Sequence, residues 1–387
     1  MSTNHQLSIF VLIDALGWPC VETHGFLADV LPHRKPLTTV LGYSSGAIPT
    51  ILTGLTPAVH GHWNLLYFDP ARSPFRWLRH LQFLPNFVLD HRVIKKILKE
   101  LGRHVFGLGP LFECCVSPRF LSYFNWTERK SIYSPKGIEP RSSVFDLLGE
   151  KQVPYQVYTY HHHSDSEILK QAKLDLKGEK ASFFFIYLSE LDRLLHFHEL
   201  ESEEVGARLS WYGRELREIL SAAQDSSSDV TFTVCSDHGM TPVTQRFDLV
   251  SEVEAMHLSM PKDYLAVYDS TMARFWFFND AGREKVTALL NSLPCGRILP
   301  DEELERLGIL FSDRRYGEMI FLLHPGWLVA ESHFNGNGWN PTGMHGYHPA
   351  DPYSDAVFLS NRPPASEIDS IADLYPLMAA AGEFVHD

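Results

Sequence analysis

The sequence places carboxylate and imidazole side chains in four short motifs, three of which follow an apolar run. Carboxylate oxygens and imidazole nitrogens are ligands of catalytic zinc, which keeps an open coordination position for substrate. Three aspartates and three histidines provide enough ligands for two three-ligand sites. Two metal ions roughly 4 Å apart can clamp the attacking and leaving oxygens of an in-line phosphoryl displacement. The residues are Asp14, Asp192, His196, Asp237, His238 and His345.

A pair of serines lies where such a reaction needs a nucleophile. Residues 42–54 read GYSSGAIPTILTG, and the spacing of their apolar residues predicts a helix. Its proline is tolerated only in the first turn, so we expect the helix to begin near Ser45 or Gly46 and to stop at Gly54. Ser44 then lies at the N-terminus, where free N–H groups favour an anion. On the residues alone, such a serine can attack phosphorus or simply cap the helix.

Each metal-ligand motif also has an ordinary structural interpretation. Asp192 and His196 are four residues apart and share one helix face, which is common without a metal ion. The Asp237-His238 pair could be a capping aspartate beside a buried histidine, and residues 343–348 could be a glycine-rich turn. Other histidines are alternative candidates for the metal-ligand positions, namely His348 and the run at residues 161–163. Glycines on either side of His345 allow close backbone approach and favour it over His348.

The elements that position these motifs are predicted to be buried strands alternating with helices. Residues 7–13, 182–188 and 230–235 are nearly continuous apolar runs, which are typical of strands buried on both faces. Alternation with helical patterns indicates an α/β fold with a mostly parallel central sheet flanked by helices. Ligands of such sheets gather beyond the carboxyl ends of the strands, where Asp14 and Asp237 are expected.

Two stretches interrupt this pattern. We interpret residues 1–64 and 136–387 as the catalytic core and residues 65–135 as a mostly helical insertion, rich in aromatic and basic residues, that forms a cap and sets substrate choice. Its charged helix face could bind an anionic substrate, be merely solvated, or contact a membrane surface. Residues 265–330 could form a small α+β lobe within the core.

Composition limits the class of partner. The 387 residues carry a net charge of −13, which argues against non-specific binding of nucleic acid. Five cysteines without a CxxC pair indicate reduced thiols, and the first apolar run is too short for a membrane span. From these features we expect an intracellular, cytoplasmic location.

In their order along the chain, the motifs resemble those of the alkaline phosphatase superfamily, most closely its type I phosphodiesterase/nucleotide pyrophosphatase branch. Thr53-Gly54, Pro57 and His60-Gly61 match the branch, and Ser44 lies ten residues before Gly54. The resemblance implies an alkaline-phosphatase-like fold and a substrate-contacting role for Asn64. It also implies one metal ion on Asp192, His196 and His345, and a second on Asp14, Asp237 and His238, with Ser44 bridging toward both.

The expected function is metal-dependent hydrolysis of phosphate esters through a phosphoserine intermediate on Ser44. Two divalent ions are expected, zinc first, with manganese compatible with the same ligands. No arginine adjoins Ser44, so diester or pyrophosphate bonds are favoured in a small substrate linked to a nucleotide, sugar or lipid. The alternatives are a phosphomonoesterase, a phosphonate hydrolase or a phosphoryl transferase. A non-catalytic binding module is disfavoured because no expected ligand is missing.

Overall fold

The computed structural model describes residues 6–108, 116–160, 163–178, 181–333 and 339–381. Their strands are β1 (Gln6–Ile13), β2 (His33–Leu37), β3 (Leu66–Phe68), β4 (Phe124–Trp126), β5 (Tyr155–Tyr158), β6 (Phe183–Leu188), β7 (Asp229–Cys235), β8 (Thr241–Pro242), β9 (Gln245–Phe247), β10 (Tyr264–Tyr268), β11 (Met272–Phe277), β12 (Gly296–Ile298), β13 (Met319–Leu323), β14 (Trp327–Val329), β15 (Gly343–Met344) and β16 (Ala356–Ser360).

The α-helices in the same ranges are α1 (Trp18–His24), α2 (Ser44–Thr53), α3 (Pro57–His60), α4 (Asn86–Leu89), α5 (Arg92–His104), α6 (Pro118–Leu121), α7 (Val144–Glu150), α8 (Asp165–Leu176), α9 (Glu190–Leu195), α10 (Glu203–Ser226), α11 (Leu249–Glu254), α12 (Asp280–Ser292), α13 (Asp301–Arg306) and α14 (Leu374–Ala380). Short 3₁₀ helices cover Arg76–Leu81, Pro352–Ser354 and Ile371–Asp373. Among the helices described, we find none with the length and apolarity that crossing a bilayer requires.

The central sheet has six strands in the order β2-β16-β7-β1-β6-β5. Strands β5, β6, β1 and β7 are parallel to one another, whereas β16 runs antiparallel to both β7 and β2. The three apolar runs in the sequence are β1, β6 and β7 at its centre. The prediction of a mostly parallel sheet flanked by helices is confirmed.

Both faces of the central sheet are covered. On β1, Ile9 and Val11 pack with the buried sides of α8 and α10, whereas Phe10 and Leu12 pack with α2, α7 and α14 on the other face. Alternate side chains of a strand point to opposite faces, so a strand with helices on both sides must be apolar throughout. This explains why these strands read as continuous apolar runs.

A second, four-stranded antiparallel sheet has the order β10-β11-β13-β12. One of its faces packs against the segment between β3 and β4, where Phe75 and Leu98 share a hydrophobic core with Leu265, Val267 and Trp276 of the sheet. The segment therefore has its own packing partner in the outer sheet. The domain boundaries drawn from the sequence stay a prediction.

Candidate metal centre and nucleophile

Two carboxylates meet at the carboxyl edge of the central sheet because their strands are neighbours. Asp14 follows β1 directly and Asp237 follows β7 by two residues, and the two strands pair in parallel register. The backbone N–H of Ala15 donates to Asp237 Oδ1 over 3.3 Å. The third carboxylate, Asp192, lies in α9, immediately after β6 on the other side of β1. The topology thus gathers the three aspartates.

The last histidine arrives from a distant part of the chain. Strand β15 pairs antiparallel with β8, which follows the Asp237-His238 turn, so His345 is carried next to His238. Close contacts at the flanking glycines require the absence of a side chain: a Cβ on Gly343 would lie 2.5 Å from the Leu195 carbonyl oxygen, and Gly346 has φ +94°. The glycines therefore serve close backbone approach, as their pattern indicates.

The six side chains form two adjacent three-residue groups. In each group the potential ligand atoms all lie within 4.8 Å of one another. The His238 and His345 rings, one from each group, stack with centroids 3.9 Å apart and planes at 11°. The groups are Asp192, His196 and His345 in one, and Asp14, Asp237 and His238 in the other.

The polar atoms of these groups lack the partners that buried atoms normally have. Buried oxygens Asp14 Oδ1, Asp192 Oδ1 and Asp237 Oδ2 have no hydrogen-bond partner, and neither does His345 Nδ1. No Lys or Arg in the described ranges forms an ion pair with these aspartates. Burial, followed by repulsion from Asp237 and Asp192, raises the pKa of Asp14 well above its usual value. Bound cations would satisfy such a set, since buried charges otherwise carry a large penalty.

Two imidazoles are held in the tautomer that a metal ligand needs. Backbone carbonyls face Nδ1 of His196 (Gly343 O, 2.9 Å) and Nδ1 of His238 (Gly239 O, 3.0 Å). A carbonyl only accepts, so each Nδ1 must carry the proton and each Nε2 presents a lone pair. The Nε2 atoms point into the groups, 3.4 Å from Asp192 Oδ2 for His196 and 3.2 Å from Asp237 Oδ2 for His238. The residues present fit divalent metal ions.

Ser44 lies beside this constellation as the first residue of α2. Its Oγ is 3.0 Å from His238 Nε2. The helix begins one or two residues earlier than predicted, and the proline at position 49 lies inside it rather than in its first turn. A proline there has no N–H to donate to the Ser45 carbonyl, so α2 lacks that hydrogen bond. Gly54, with φ +68°, ends the helix as predicted.

The two serines have different partners. The hydroxyl of Ser45 is buried and donates to the Trp63 carbonyl oxygen over 2.8 Å, which ties the start of α2 to the loop after α3. Both serines line a pocket of about 270 Å³ that also exposes His196 and His345, but of the two hydroxyls it is that of Ser44 that lies against a ligand group, 3.0 Å from His238 Nε2. Of the two hydroxyls, the one on Ser44 is therefore placed to reach a substrate.

The pocket wall contains residues that the sequence analysis did not single out. Glu128, Tyr133 and Tyr160 line it, and burial raises the pKa of Glu128 to about 7. Tyr187 lines it too and donates a short hydrogen bond to Asp14 Oδ2. The sequence could have indicated Tyr187, because this residue lies near the end of β6. No local pattern marks Glu128. The described lining contains no Lys or Arg.

Other sequence candidates lie elsewhere. Asn64 is buried, its Nδ2 faces Met272 Sδ at 3.9 Å, and its Oδ1 is unpaired, so its predicted substrate contact stays a prediction. His348 Nε2 lies 3.0 Å from Glu303 Oε1 and belongs to neither ligand group. His163 is exposed, and residues 161–162 lie outside the described residues.

The fold and the order of its motifs place this protein in the alkaline phosphatase superfamily. Within it, the chain belongs to the type I phosphodiesterase/nucleotide pyrophosphatase family, whose sequence model matches residues 42–348. The protein is therefore a phosphoric ester hydrolase. No protein with a curated description matches the chain by sequence.

Solved structures show the same fold at low sequence identity. Murine ectonucleotide pyrophosphatase/phosphodiesterase 5 superposes with a TM-score of 0.69 at 16% identity, covering 98% of this chain and 95% of its own. A structure of that murine protein with AMP gives a TM-score of 0.68 at 17% identity, with the same coverage. Phosphonoacetate hydrolase from Sinorhizobium meliloti 1021, in complex with phosphonoformate, superposes with a TM-score of 0.66 at 12% identity. The match covers 98% of this chain and 96% of that protein.

Proposed function

We propose that this hydrolase cleaves phosphodiester or pyrophosphate bonds of a small substrate, with Ser44 as the nucleophile and two divalent metal ions held by the two ligand groups. The observation that carries the choice of bond is the charge of the pocket. Its described lining offers Glu128 and no cationic Lys or Arg. A monoester brings one more negative charge than a diester, and nothing in this lining neutralises it.

The charge balance of the ligand groups supports the same choice. The three aspartates together carry three negative charges when ionised. Two divalent cations would leave one positive charge, which a singly charged diester phosphate neutralises. Direct ligation would also keep Asp14 ionised in spite of its buried position.

The side chains of the chain itself have definable roles in this reaction. Ser44 Oγ would lose its proton and attack phosphorus, forming a phosphoserine, while the bond to the leaving oxygen breaks and that oxygen takes up a proton. Water would then cleave the phosphoserine, release the phosphoryl product and restore the Ser44 hydroxyl. The N-terminus of α2 faces the same space, and the N–H groups of its first turn can hold a phosphoryl oxygen. Tyr187 holds Asp14 through its hydrogen bond, and Gly343 and Gly239 hold the His196 and His238 rings through their carbonyls.

The metal ions, when bound, would supply Lewis-acid stabilisation of the attacking and leaving oxygens. Zinc is the proposed ion because both groups combine imidazole nitrogen with carboxylate oxygen, and manganese is compatible with the same ligands. Elemental analysis of protein purified without chelator should find two equivalents of metal per chain. One equivalent or none after zinc supplementation would contradict the proposed centre.

A phosphonate hydrolase is the second candidate, because a phosphonoacetate hydrolase shares the fold. A carboxylate-bearing phosphonate would need a cationic side chain beside the phosphorus, which the described lining does not provide. The test is a panel of nitrophenyl phosphate, bis(nitrophenyl) phosphate, nitrophenyl thymidine monophosphate and phosphonoacetate on metal-replete enzyme. The diesters should be cleaved at least about tenfold faster than the others. Preferential cleavage of the monoester or of phosphonoacetate would overturn the assignment.

We also propose an intracellular location. The described cysteines, Cys20, Cys235 and Cys295, are buried free thiols, as expected in a reducing compartment. Cys114 and Cys115 lie outside the described residues. Fractionation of cells that express the native gene would test this location, and recovery of the protein in the extracellular fraction would refute it.

A further inference from the structure

One segment of the chain, residues 76–105, combines exposed apolar and basic side chains. Six of the eleven exposed large hydrophobic side chains in the described part of the chain lie between residues 77 and 105. Phe83 and Phe87 are the most exposed, at 79% and 77%. The six are Trp77, Phe83, Phe87, Val93, Ile97 and Val105. Scattered exposed apolar residues are normal, but a concentration of this kind marks an interaction surface.

The same stretch is basic in an acidic protein. Residues 76–104 contain seven Lys and Arg against Asp90 and Glu100, although the whole chain has a net charge of −13. Among the described residues, Arg92, Lys96 and Arg103 form no ion pair, and all three are exposed. These charges are therefore available to an external anionic partner.

Helix α5 shows how the two kinds of side chain are arranged. Leu98 and Gly102 are buried and face inward, where Leu98 joins the core shared with the outer sheet. Val93 and Ile97 are one turn apart and exposed, which places them on one outward sector. At 100° per residue, Lys96 and Arg103 fall on the sector next to these two side chains. The exposed Glu100 and His104, which pair over 3.1 Å, fall in the same sector, so this face of α5 mixes apolar and charged side chains. Exposed apolar side chains beside cationic ones suit contact with a membrane interface.

The neighbouring loop holds its aromatic side chains outward. The Arg119 guanidinium donates to the carbonyl oxygens of Gln82 (3.4 Å) and Leu84 (3.0 Å), the two residues on either side of Phe83. Since the backbone is fixed on both sides, Phe83 is presented to the exterior. A merely solvated helix face would explain the lysines but would not explain exposed phenylalanines held in this way.

We propose that this outward surface of residues 76–105, the basic-aromatic face, binds the surface of an anionic lipid bilayer. Charge complementarity favours a lipid surface, because anionic headgroups attract clustered Lys and Arg while aromatic and aliphatic side chains enter the interfacial region. The proposal goes beyond the proposed catalytic function and does not depend on it. Binding is reversible and peripheral, and it brings the hydrolase to a membrane surface.

Co-sedimentation with vesicles tests this proposal without any need for turnover. The full chain is mixed with vesicles of phosphatidylcholine alone or with 30% phosphatidylglycerol, a probe composition, at about 50 mM and about 500 mM salt, conditions that separate strong from weak screening. We expect at least tenfold stronger binding to the anionic vesicles at low salt, and loss of most of that difference at high salt. Equal binding to both vesicles, or binding to neither, would overturn the proposal.

Two variants identify the surface. Phe83→Ser/Phe87→Ser and Lys96→Gln/Arg103→Gln should each weaken binding to anionic vesicles at least fivefold. Each surface charge contributes about that factor, and the two phenylalanines supply the apolar area that enters the interface. The matched control is Lys170→Gln/Leu174→Ser, which removes an exposed lysine and an exposed leucine one turn apart on α8 and should bind as wild type does. Circular dichroism and turnover of bis(nitrophenyl) phosphate should be unchanged in all three variants.

The alternative occupant is a second copy of the chain. If sedimentation shows a dimer that Phe83→Ser/Phe87→Ser converts to a monomer, without any vesicle binding by the wild type, the face is a protein interface and the lipid proposal is wrong. It is equally wrong if the α8 control loses as much vesicle binding as the two test variants.

Discussion

Two buried charged clusters of this molecule differ in how their charges are satisfied. At the carboxyl edge of the central sheet, Asp14, Asp192 and Asp237 each have a buried oxygen without a partner. At the junction of the outer sheet with β3, Asp269 is also fully buried, but Arg274 donates to both of its oxygens, over 2.6 and 3.3 Å. Arg274 also donates to the Leu66 carbonyl oxygen over 2.8 Å.

This difference in pairing distinguishes a buried charge cluster with a structural role from one with a functional role. A buried carboxylate that is fully paired within the protein belongs to the architecture, and here it ties β11 to the start of the 66–126 segment. Buried carboxylates left unpaired are expensive, so they persist where something outside the chain completes them. Substitutions at the two clusters should therefore fail in different ways.

The largest effect is expected at the nucleophile. Ser44→Ala should lower turnover at least about a thousandfold, because the neighbouring Ser45 hydroxyl is bonded to the Trp63 carbonyl and does not replace it, while the fold and the metal content stay intact. Ser45→Ala should cost less than about tenfold, since it loses only one hydrogen bond to a backbone carbonyl. Steady-state kinetics with thermal unfolding checks both, and an inactive Ser45→Ala beside an active Ser44→Ala would place the nucleophile one residue later.

The second-largest effect is expected at the metal ligands, tested by one aspartate from each ligand group. Asp192→Asn and Asp14→Asn should each lower turnover at least about a hundredfold and reduce bound metal from two equivalents toward one, because each removes a charged ligand from one group. Elemental analysis beside kinetics is the measurement. Arg274→Met is the matched control at the paired cluster and should keep both metal equivalents. Retention of two equivalents by both aspartate variants would contradict the ligand assignment.

The third effect appears in stability. Arg274→Met should lower the free energy of unfolding by about 3–5 kcal/mol, because it leaves Asp269 buried and unpaired. Adding Asp269→Asn to the same chain should restore part of that loss. Urea titration followed by circular dichroism gives these values, and a single variant as stable as wild type would mean that the pair contributes nothing to the junction.

The smallest effect depends on pH. Glu128 has a pKa of about 7 in the folded protein, above its ordinary value of 4.5, because burial disfavours its carboxylate. Its stabilising contribution is complete below pH 4.5 and is lost as the pH rises through 7. Glu128→Gln should therefore match wild type near pH 4.5 and be more stable by about 2 kcal/mol at pH 8, which allows for its partial exposure.

Thermal unfolding at the two pH values measures the Glu128 effect. The matched control is Glu139→Gln, whose exposed carboxylate forms a surface ion pair with Lys130. That variant should show no gain in stability at pH 8. If the stabilities of wild type and Glu128→Gln differ by the same amount at both pH values, Glu128 titrates as an exposed glutamate does.

The sequence by itself determined the parts of the site that depend on local pattern. Continuous apolar runs predicted β1, β6 and β7, because strands covered on both faces have no polar side. The polar residues that end those runs predicted which edge of the sheet carries chemistry, since parallel strands share one carboxyl edge. The helix after Ser44 and its stop at Gly54 likewise followed from spacing and from the need for a positive φ.

Only the tertiary structure decided which side chains come together at the site. The β8–β15 pairing spans about a hundred residues, and it places His345 in a ligand group while His348 turns to Glu303. Glu128 reaches the pocket from two residues after β4, where no local pattern marks it. The physical reason is that a side chain's burial and charge partners come from elements distant in the chain, whereas periodicity and turn chemistry act over a few neighbouring residues.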